Sequence, residues 1–335
     1  MIEHNISLKP FNTFGFDLKA EHFIRFSSIL GLSEILKEHA EKPLFILGGG
    51  SNILLTKNVE GLVLKNEIKG IKIIEDHEDF VIVESGAGEV WHEFVVHCIN
   101  NGWAGIENLS LIPGSVGASP MQNIGAYGVE IKDVFTYLSA LNIATGEMEN
   151  FNAEQCKFGY RESVFKQALK GKYIICYVAF KLSKKAIKNT TYGAIEDELK
   201  KMEVSDPSIE DISKAVISIR QSKLPNPAEI GNAGSFFKNP IISEQHVQKL
   251  QKIYPNIPNY PSINGTKKLA AGWLIEKAGW KGKTIGNIGV HKNQALVLVN
   301  YGGGSGEEIL ALSTAIIEDI KTKFDVELER EVNIM

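Results

Sequence analysis

The sequence has little cysteine, no excess of basic residues and no long apolar run. Its 335 residues include three cysteines, none of them in a CxxC pair. An odd number of widely spaced cysteines argues against a disulfide framework and against a thiolate metal site. The eight histidines form no HExxH pattern, and we therefore predict no metal centre.

Charge and hydropathy exclude further classes of protein. Lys and Arg total 36 against 40 Asp and Glu, so the formal net charge is −4, whereas nucleic-acid binders present a basic surface. No stretch approaches the ~20 apolar residues of a membrane-spanning helix. The N-terminal sequence also lacks the basic start and apolar core of a secretory signal. We expect a cytoplasmic enzyme or binding protein that binds no nucleic acid and enters no membrane.

The first part of the chain alternates helix and strand patterns. Residues 32–39 have the spacing of one apolar helical face, which Pro43 should end, and 44–47 read as a buried strand. The pattern recurs with a strand at 80–83, a glycine turn and a second helix. The apolar face of that helix carries Trp91, Phe94, Val95 and Cys98.

Regular periodicity then disappears between about residues 102 and 128, where glycine dominates. A long irregular segment that keeps apolar side chains is typical of a functional loop. The lysine-rich stretch 181–188 predicts a solvated linker. A helix near 208–221 leads into a segment rich in proline and glycine, 224–240, which should break regular structure.

The C-terminal part ends in a predicted helix and strand. Ser305 and Glu308 form a capping-box pattern, and the following helix carries a buried stripe at Ile309, Leu312, Ile316, Ile317 and Ile320. The last residues alternate as in a half-buried strand. Its apolar face would carry Val326, Leu328, Val332 and Ile334, opposite Glu327, Glu329 and Glu331.

The sequence does not match the standard nucleotide-binding motifs when every position of each motif is required. A GxGxxG pattern that begins at Gly48 meets Ile53 at its last glycine, and one that begins at Gly86 meets Trp91. A P-loop ending at Thr284 would need glycine where Lys277 stands. Neither a Rossmann coenzyme site nor an ATPase is therefore indicated.

Two glycine-rich loops, at 48–52 and 114–118, remain open to two interpretations. Consecutive small residues let backbone N–H groups converge on an anion, and two such loops suit the two phosphates of a dinucleotide. The same residues also suit simple tight turns. Residue patterns alone therefore indicate a two-domain α/β protein with two candidate phosphate loops.

Seven motifs change this interpretation. They are NTFGFD at 12–17, LGGGSN at 47–52, LSLIPGSVGASPMQNIGAYGVE at 109–130, GYRES at 159–163, GNAGSFFKNP at 231–240, KLAAGWLIEKAGWKG at 268–282 and HKNQALVLVN at 291–300. In this order, from about residue 9 to the C-terminus, the sequence resembles the UDP-N-acetylenolpyruvoylglucosamine reductase family. These flavoenzymes complete UDP-N-acetylmuramate synthesis for bacterial peptidoglycan. The string TYG at 191–193 resembles the subclass in which a tyrosine on an extra loop closes over the substrate.

The resemblance implies an α+β fold. An FAD-binding region of the vanillyl-alcohol-oxidase-like (PCMH) type, which lacks the Rossmann fingerprint, would precede a C-terminal α/β substrate-binding domain. We expect the FAD region in 1–215, with subdomains of about 1–70 and 71–215 and a core at 17–184. The substrate domain would span 216–335 and end in a strand that returns Glu331 to the active site. We expect a monomer.

The resemblance also implies the reaction and its residues. NADPH would donate a hydride through FAD to UDP-N-acetylglucosamine enolpyruvate, giving UDP-N-acetylmuramate. Arg161 would hold the substrate carboxylate, Ser235 would protonate the enolate carbon, and Glu331 would polarise the carboxylate or fix the geometry. The matched cofactor-binding residues are Gly48, Gly49, Gly50, Ser51, Asn52, Ser115, Val116, Gly117, Ala118, Ser119, Asn123 and Gly125. The matched substrate-binding residues are Tyr192, Lys223, Asn239, Tyr260, Lys268, Lys281 and Gln294.

Two alternatives and three departures accompany this hypothesis. The chain is alternatively another FAD oxidoreductase of the same fold, or a non-catalytic homologue that binds a sugar nucleotide. The departures are Gly49, where the family often has an acidic or other residue, Ser115, where it has cysteine or another small residue, and Arg330, which stands before Glu331 where proline is expected. Arg330 leaves the predicted local strand geometry open.

Overall fold

The structure is a computed structural model that describes residues 1–39 and 41–335. The helices span Ile29–Glu38 (α1), Trp91–Asn100 (α2), Ala153–Cys156 (α3), Gly193–Lys201 (α4), Ile209–Lys223 (α5), Glu244–Ile253 (α6), Ala271–Lys277 (α7) and Gly306–Phe324 (α8). The strands span Glu3–Ser7 (β1), Lys19–Phe26 (β2), Leu44–Leu47 (β3), Ile53–Leu54 (β4), Val59–Asn66 (β5), Ile71–Asp76 (β6), Phe80–Gly86 (β7), Gly125–Ala126 (β8), Val129–Glu130 (β9), Phe135–Asn142 (β10), Met148–Asn152 (β11), Tyr173–Ser183 (β12), Gly231–Ser235 (β13), Ile241–Ser243 (β14), Asn259–Pro261 (β15), Thr266–Leu269 (β16), Thr284–Ile285 (β17), Ile288–Val290 (β18), Val297–Asn300 (β19) and Asn333–Ile334 (β20).

The chain divides into two compact units. Unit 1 comprises Met1–Ile6, Ala20–Gly49 and Glu60–Ser222, and unit 2 comprises Ser7–Lys19, Gly50–Val59 and Lys223–Met335. These units differ from a simple division at residue 215, because two short N-terminal segments belong with the C-terminal part. The assignment of FAD and substrate binding to separate regions stays a prediction.

Unit 1 contains a four-stranded and a five-stranded sheet. The first has the order β1-β2-β5-β3, with β3 and β5 parallel, and the second has the order β11-β10-β12-β7-β6. The neighbouring strands of the second sheet are antiparallel. Helix α2 presents its predicted face to the core, with Trp91, Phe94, Val95 and Cys98 at most 1% exposed. The predicted face of α2 is therefore confirmed, and the predicted strands at 44–47 and 80–83 correspond to β3 and β7.

The glycine-rich segment near 102–128 lacks long elements, as predicted. It contains two short 3₁₀ turns, Glu107–Leu109 and Val116–Ala118, followed by β8. Buried side chains such as Ile106, Leu109 and Val116 anchor it in the unit 1 core. The segment is thus an ordered loop held by its apolar residues.

Unit 2 contains sheets of order β13-β19-β18-β17 and β14-β16-β15, together with the parallel pair β20-β4. Helix α8 begins with the predicted capping box between Ser305 and Glu308. Its stripe packs in the unit 2 core with Phe14, Phe16 and Leu54. Burial of these side chains from the two N-terminal segments explains why both segments belong to unit 2.

Four local predictions need correction. Helix α1 ends at Glu38, well before Pro43, so His39 is its C-cap and not part of the helical face. The segment 224–240 contains strand β13, because its glycines suit a bulged strand as well as a loop. The final alternation buries Val326, Leu328 and Val332, but Ile334 is 37% exposed. No continuous terminal strand forms there; an isolated bridge at Arg330 precedes β20.

Candidate active site

The two predicted glycine loops meet inside unit 1. A Cβ built on Gly49 would lie 2.6 Å from the Gly114 Cα, and one built on Gly48 would lie 2.6 Å from the Ser115 Oγ. Real Cβ atoms do not approach backbone this closely, so only glycine permits the contact at residue 49. The tertiary structure therefore joins two loops that the sequence presented separately.

This junction retains donors that suit an anionic group. Within residues 1–39 and 41–335, the backbone amides of Gly49, Gly114 and Ser115 donate to no backbone carbonyl. Convergent backbone N–H groups are a recurrent means of binding phosphate. The junction therefore fits a diphosphate such as that of FAD.

The remaining backbone amides of the second loop already donate hydrogen bonds within the protein. The amides of Val116 and Gly117 donate to the carbonyls of Glu89 and Ala87, each at 2.9 Å. The amides of Ala118 and Ser119 close the 3₁₀ turn onto Ser115 and Val116. These four predicted cofactor residues shape the loop, and their amides are already used.

The remaining residues of the first loop belong to unit 2. Gly50 has φ +64° and its added Cβ would lie 1.9 Å from the Phe11 carbonyl oxygen. The Asn52 amide Nδ2 donates to the Glu331 carbonyl at 3.3 Å, and the Asn52 carbonyl accepts from the Asn333 amide at 3.1 Å. Asn52 therefore lies beside the C-terminal segment that carries Glu331.

Asn123 clamps the loop that carries Arg161. Its Nδ2 donates to Glu130 Oε2 and to the Gly159 carbonyl, each at 3.0 Å, and its Oδ1 accepts from the Lys132 amide. The residue is 0% exposed. The polar atoms of the Asn123 side chain are therefore used in hydrogen bonds within the protein, although the family resemblance implies that this residue binds the cofactor.

Arg161 occupies a left-handed turn in unit 1. Gly159 and Glu162 exchange backbone hydrogen bonds, which leaves Arg161 at φ +54° inside the turn. Its Nη2 donates to the Gly125 carbonyl at 2.6 Å, and a Cβ on Gly125 would lie 3.1 Å from Nη1. A non-glycine residue at positive φ costs about 1–3 kcal/mol and often marks a functional position. The turn and Gly125 together fix where the guanidinium lies.

Ser235 and Glu331 belong to unit 2 and lie on neighbouring backbone segments. Ser235 ends β13, pairs with Val297 and follows a register shift. The next residue, Phe236, accepts the Glu331 amide at 2.8 Å. A Cβ on Gly234 would meet no atom within 4 Å, so space lies beside this bulge. Bulges are common next to active sites because they re-aim a side chain.

The backbone pairing around Arg330 explains why the chain tolerates arginine at a position where the family resemblance predicts proline. Phe237 and Arg330 form an antiparallel bridge, whose hydrogen bonds come from the amides of Lys238 and Glu331. The pairing therefore requires no N–H from residue 330, and either proline or arginine satisfies it. Arginine adds bonds to α8, from Nε to Ser313 Oγ at 2.8 Å and from Nη2 to Thr314 Oγ1 at 2.7 Å.

Several matched substrate residues surround the start of α7 in unit 2. Asn239 Oδ1 accepts the Ala271 amide at 2.9 Å, and Tyr260 and Lys268 face each other across β15 and β16. A Cβ on Gly272 would lie 3.3 Å from Gln294 Oε1. Lys281 lies past the other end of α7, where its Nζ pairs with Glu276 Oε2 at 2.9 Å. Lys223 is an exposed residue at the end of α5.

Tyr192 packs on Tyr127, which in turn lies beside Arg220, and neither of these two residues was selected from the sequence. It lies before α4 in unit 1, is 52% exposed, and packs edge-to-face on Tyr127 with ring centroids 5.4 Å apart. The partly buried Arg220 guanidinium interacts electrostatically with the Tyr127 hydroxyl and donates to the Leu111 carbonyl at 3.2 Å. No sequence spacing connects these three residues; only the tertiary structure does.

The cysteines take no part in this site. Cys98, Cys156 and Cys176 are buried, and burial raises the pKa of each thiol, to about 12 for Cys156 and Cys176. Raised pKa values keep thiols protonated and unreactive at neutral pH. The described part of the chain contains no group of three or more His, Cys, Asp or Glu placed to hold a metal ion, and none of its helices could cross a membrane.

Comparisons with known proteins identify the class to which this fold and site belong. Residues 20–152 match the FAD binding domain family, and residues 226–335 match the family described as UDP-N-acetylenolpyruvoylglucosamine reductase, C-terminal domain. The α+β prediction with an FAD-binding region is confirmed. The protein is thus an FAD-dependent oxidoreductase.

Relatives of known name span the whole chain. A UDP-N-acetylenolpyruvoylglucosamine reductase from Flavobacterium johnsoniae is 51% identical, over 100% of this chain and 99% of that protein. One from Pseudomonas fluorescens is 49% identical, over 99% and 98%. The crystal structure of the Thermus caldophilus enzyme has a TM-score of 0.68 at 22% identity, over 100% of this chain and 98% of that one, and supports the fold. The chain belongs to the UDP-N-acetylenolpyruvoylglucosamine reductase family. It reduces UDP-N-acetylglucosamine enolpyruvate, with NADPH as hydride donor.

Proposed function

We propose that Arg161, Ser235 and Glu331 carry the chemistry of this reduction, within a cytoplasmic enzyme that acts as a monomer. Bound FAD supplies the hydride that it receives from NADPH. The protein must then stabilise the negative charge that develops beside the substrate carboxylate, and must deliver a proton to that carbon. The observation that carries the proposal is the hydrogen bond between Phe236 and Glu331, which puts the segments of Ser235 and Glu331 side by side.

Arg161 binds the substrate carboxylate. A guanidinium stays protonated at all working pH values and matches a carboxylate with two parallel N–H donors. Its left-handed turn and its bond to the Gly125 carbonyl hold it before substrate arrives. A fixed cation stabilises developing charge without reorganisation during the reaction.

Ser235 donates the proton to the enolate carbon. A hydroxyl is a weak acid, but an enolate carbon is a strong base, so transfer is favourable once the two are in contact. The bulge before Ser235 and the open space at Gly234 leave room for a substrate beside the hydroxyl. General acid catalysis of this kind contributes about 10²–10⁴ in rate.

Glu331 orients the substrate carboxylate or the proton donor. Its backbone is fixed on both sides, since its amide binds Phe236 and its carbonyl accepts from Asn52. These bonds connect the position of Glu331 to the first glycine loop within unit 2. The side chain is half-buried, as expected of a group that reaches a bound ligand.

The sugar nucleotide binds through the matched substrate residues. Asn239, Tyr260, Lys268 and Gln294 lie around β16 and the start of α7, and we assign the diphosphate and uridine to this region, with Lys223 and Lys281 as further cations. Lysines suit diphosphate as compact cationic donors. Tyr192, half exposed on its loop, contributes ring area and a hydroxyl.

An anaerobic titration of the purified holoprotein tests the proposed function. NADPH should bleach the flavin absorbance, and UDP-N-acetylglucosamine enolpyruvate should restore it with one equivalent. UDP-N-acetylglucosamine, which lacks the enolpyruvyl group, is the matched control and should restore nothing. Reduction of the flavin by an alcohol and reoxidation by admitted dioxygen, but not by the enolpyruvyl substrate, would instead identify an oxidase of the same fold. Bleaching without reoxidation by any of these would indicate a binding homologue.

A further inference from the structure

Lys65 is a partly buried cation that points at the first glycine loop. It lies on β5 opposite Leu47, and its Nζ donates to the Gly48 carbonyl at 2.6 Å. Among residues 1–39 and 41–335 no ion pair involves Lys65. Lys69, which lies close by in the sequence, does pair with Glu89. Burial lowers the pKa of Lys65, although the Glu67 carboxylate opposes this shift.

A partly buried cation that forms no ion pair is favoured by an anion bound nearby. One feature able to receive an anion is the junction of Gly48 and Gly49 with Gly114 and Ser115, where backbone amides have no carbonyl acceptor. The bond from Lys65 ends on this same loop. The cation and the unused amides therefore belong to one site within unit 1.

The bond to Gly48 also sets the direction of a donor. A trans peptide unit is planar, so the Gly48 carbonyl and the Gly49 N–H point to opposite sides. Lys65 fixes the carbonyl on one side, which turns the Gly49 N–H away from the ammonium and toward the other. Hydrogen bonding at the carbonyl also polarises the peptide and strengthens its N–H as a donor.

We propose that Lys65 is a positioning residue for the FAD diphosphate: it orients the Gly48–Gly49 peptide and supplies the positive charge that the glycine loops lack. This inference rests on the proposed placement of the diphosphate at the two loops. No glycine-loop motif contains Lys65, and sequence reasoning did not select it. Only the parallel pairing of β3 with β5 brings it to the loop.

Binding of FAD to the flavin-free protein tests the inference, with quenching of flavin fluorescence as the readout. Lys65→Met should raise the Kd for FAD about tenfold, the effect of losing one hydrogen bond to a charged group. It should also flatten the dependence of Kd on sodium chloride, because one cation is removed. Lys72→Met is the matched control, since Lys72 is an exposed residue on β6; its Kd should stay within twofold of the wild type.

Thermal unfolding distinguishes positioning from a structural role. Without flavin, Lys65→Met should melt no lower than the wild type, because the substitution removes a partly buried charge that forms no ion pair. With saturating FAD it should gain less thermal stability than the wild type gains. A lower melting temperature without flavin, together with an unchanged Kd, would show that Lys65 only supports the fold. If Lys65→Met does not fold, Lys65→Gln, which removes the charge but keeps a donor, is judged by the same Kd criteria.

Gly49→Val separates this inference from the placement on which it rests. If Gly49→Val and Lys65→Met both leave the Kd for FAD unchanged, the diphosphate binds elsewhere and both ideas fail. If Gly49→Val weakens binding and Lys65→Met stays within twofold of the wild type, the placement stands and the role of Lys65 is wrong. Weakened binding in both variants, with Lys72→Met unaffected, supports both.

Discussion

The backbone amide of Glu331 donates a 2.8 Å hydrogen bond to the carbonyl of Phe236. Because Phe236 follows Ser235, this bond brings the proposed proton donor and the proposed carboxylate onto adjacent backbone segments. The segment of Glu331 is held further by the bridge between Phe237 and Arg330. The chemistry that we propose for Ser235 therefore depends on a strand-like pairing between distant parts of the chain.

Ser235→Ala should separate the two half-reactions. Reduction of the flavin by NADPH needs no proton on the substrate carbon and should stay near the wild-type rate. Reoxidation by the enolpyruvyl substrate should slow by on the order of 10²-fold or more, since alanine cannot donate a proton. Stopped-flow absorbance measures both steps. Ser235→Cys is the matched variant and should retain more reoxidation activity, because a thiol can still deliver a proton. Equal slowing of both steps in the alanine variant would mean that Ser235 is structural.

Gly50→Val should destabilise unit 2. The reason is steric and differs from the phosphate binding for which the glycine loop was predicted. A Cβ at residue 50 would lie 1.9 Å from the Phe11 carbonyl oxygen, and the backbone has φ +64°. A clash with the protein's own backbone at positive φ should cost at least ~3 kcal/mol of unfolding free energy. Chemical denaturation of the flavin-free protein measures it.

Gly193→Ala serves as the control for that substitution. Gly193 begins α4, and its added Cβ would meet nothing within 4 Å. Its unfolding free energy should change by less than about 1 kcal/mol. Loss of flavin from Gly50→Val without loss of stability would contradict the steric explanation and would favour direct contact between Gly50 and the cofactor.

Arg330→Ala should lower stability by about 1–3 kcal/mol, since it removes two charge-assisted hydrogen bonds from the C-terminal segment to Ser313 and Thr314. Arg330→Pro should lose the same two bonds but keep the bridge to Phe237, because the bridge uses no N–H from residue 330. Urea unfolding compares the two. Thr322→Val, which removes an exposed hydroxyl bonded within α8, should stay close to the wild type. A stability loss as small as that of Thr322→Val would show that the Arg330 bonds contribute little.

Glu107→Gln should change how stability depends on pH. Glu107 is 2% exposed, and burial raises its pKa above the ordinary 4.5, although a bond from the Gly105 amide opposes the shift. The folded state therefore binds the proton more tightly than the unfolded state does. Stability is greatest below the ordinary pKa, falls as the pH rises through the raised pKa, and then levels off.

The glutamine variant should lack this decline. Its unfolding free energy, measured from about pH 4 to about pH 8, should therefore rise relative to the wild type as the pH increases. Glu34→Gln, at an exposed position on α1, should leave the pH dependence unchanged. A wild type and Glu107→Gln with parallel pH profiles would contradict the effect of burial on this carboxyl.

The local structure of this protein is largely determined by its sequence. The apolar face of α2 and the capping box at Ser305 follow from side-chain spacing within one or two helical turns, where neighbours in sequence are neighbours in space. The seven motifs likewise indicate the family from the sequence alone. Errors arise where a tertiary contact outweighs local preference, as at β13 and at Ile334.

The candidate site, by contrast, is decided by the tertiary structure. Packing brings Gly49 against Gly114, and the parallel pairing of β3 with β5 brings Lys65 to the Gly48 carbonyl. The same holds for Glu331, which reaches Phe236 only because the C-terminal segment returns to β13 within unit 2. Periodicity reports which face of an element is buried, but not which distant segment covers it. That choice depends on side-chain packing and on backbone hydrogen bonds between segments far apart in the chain, which a one-dimensional pattern does not record.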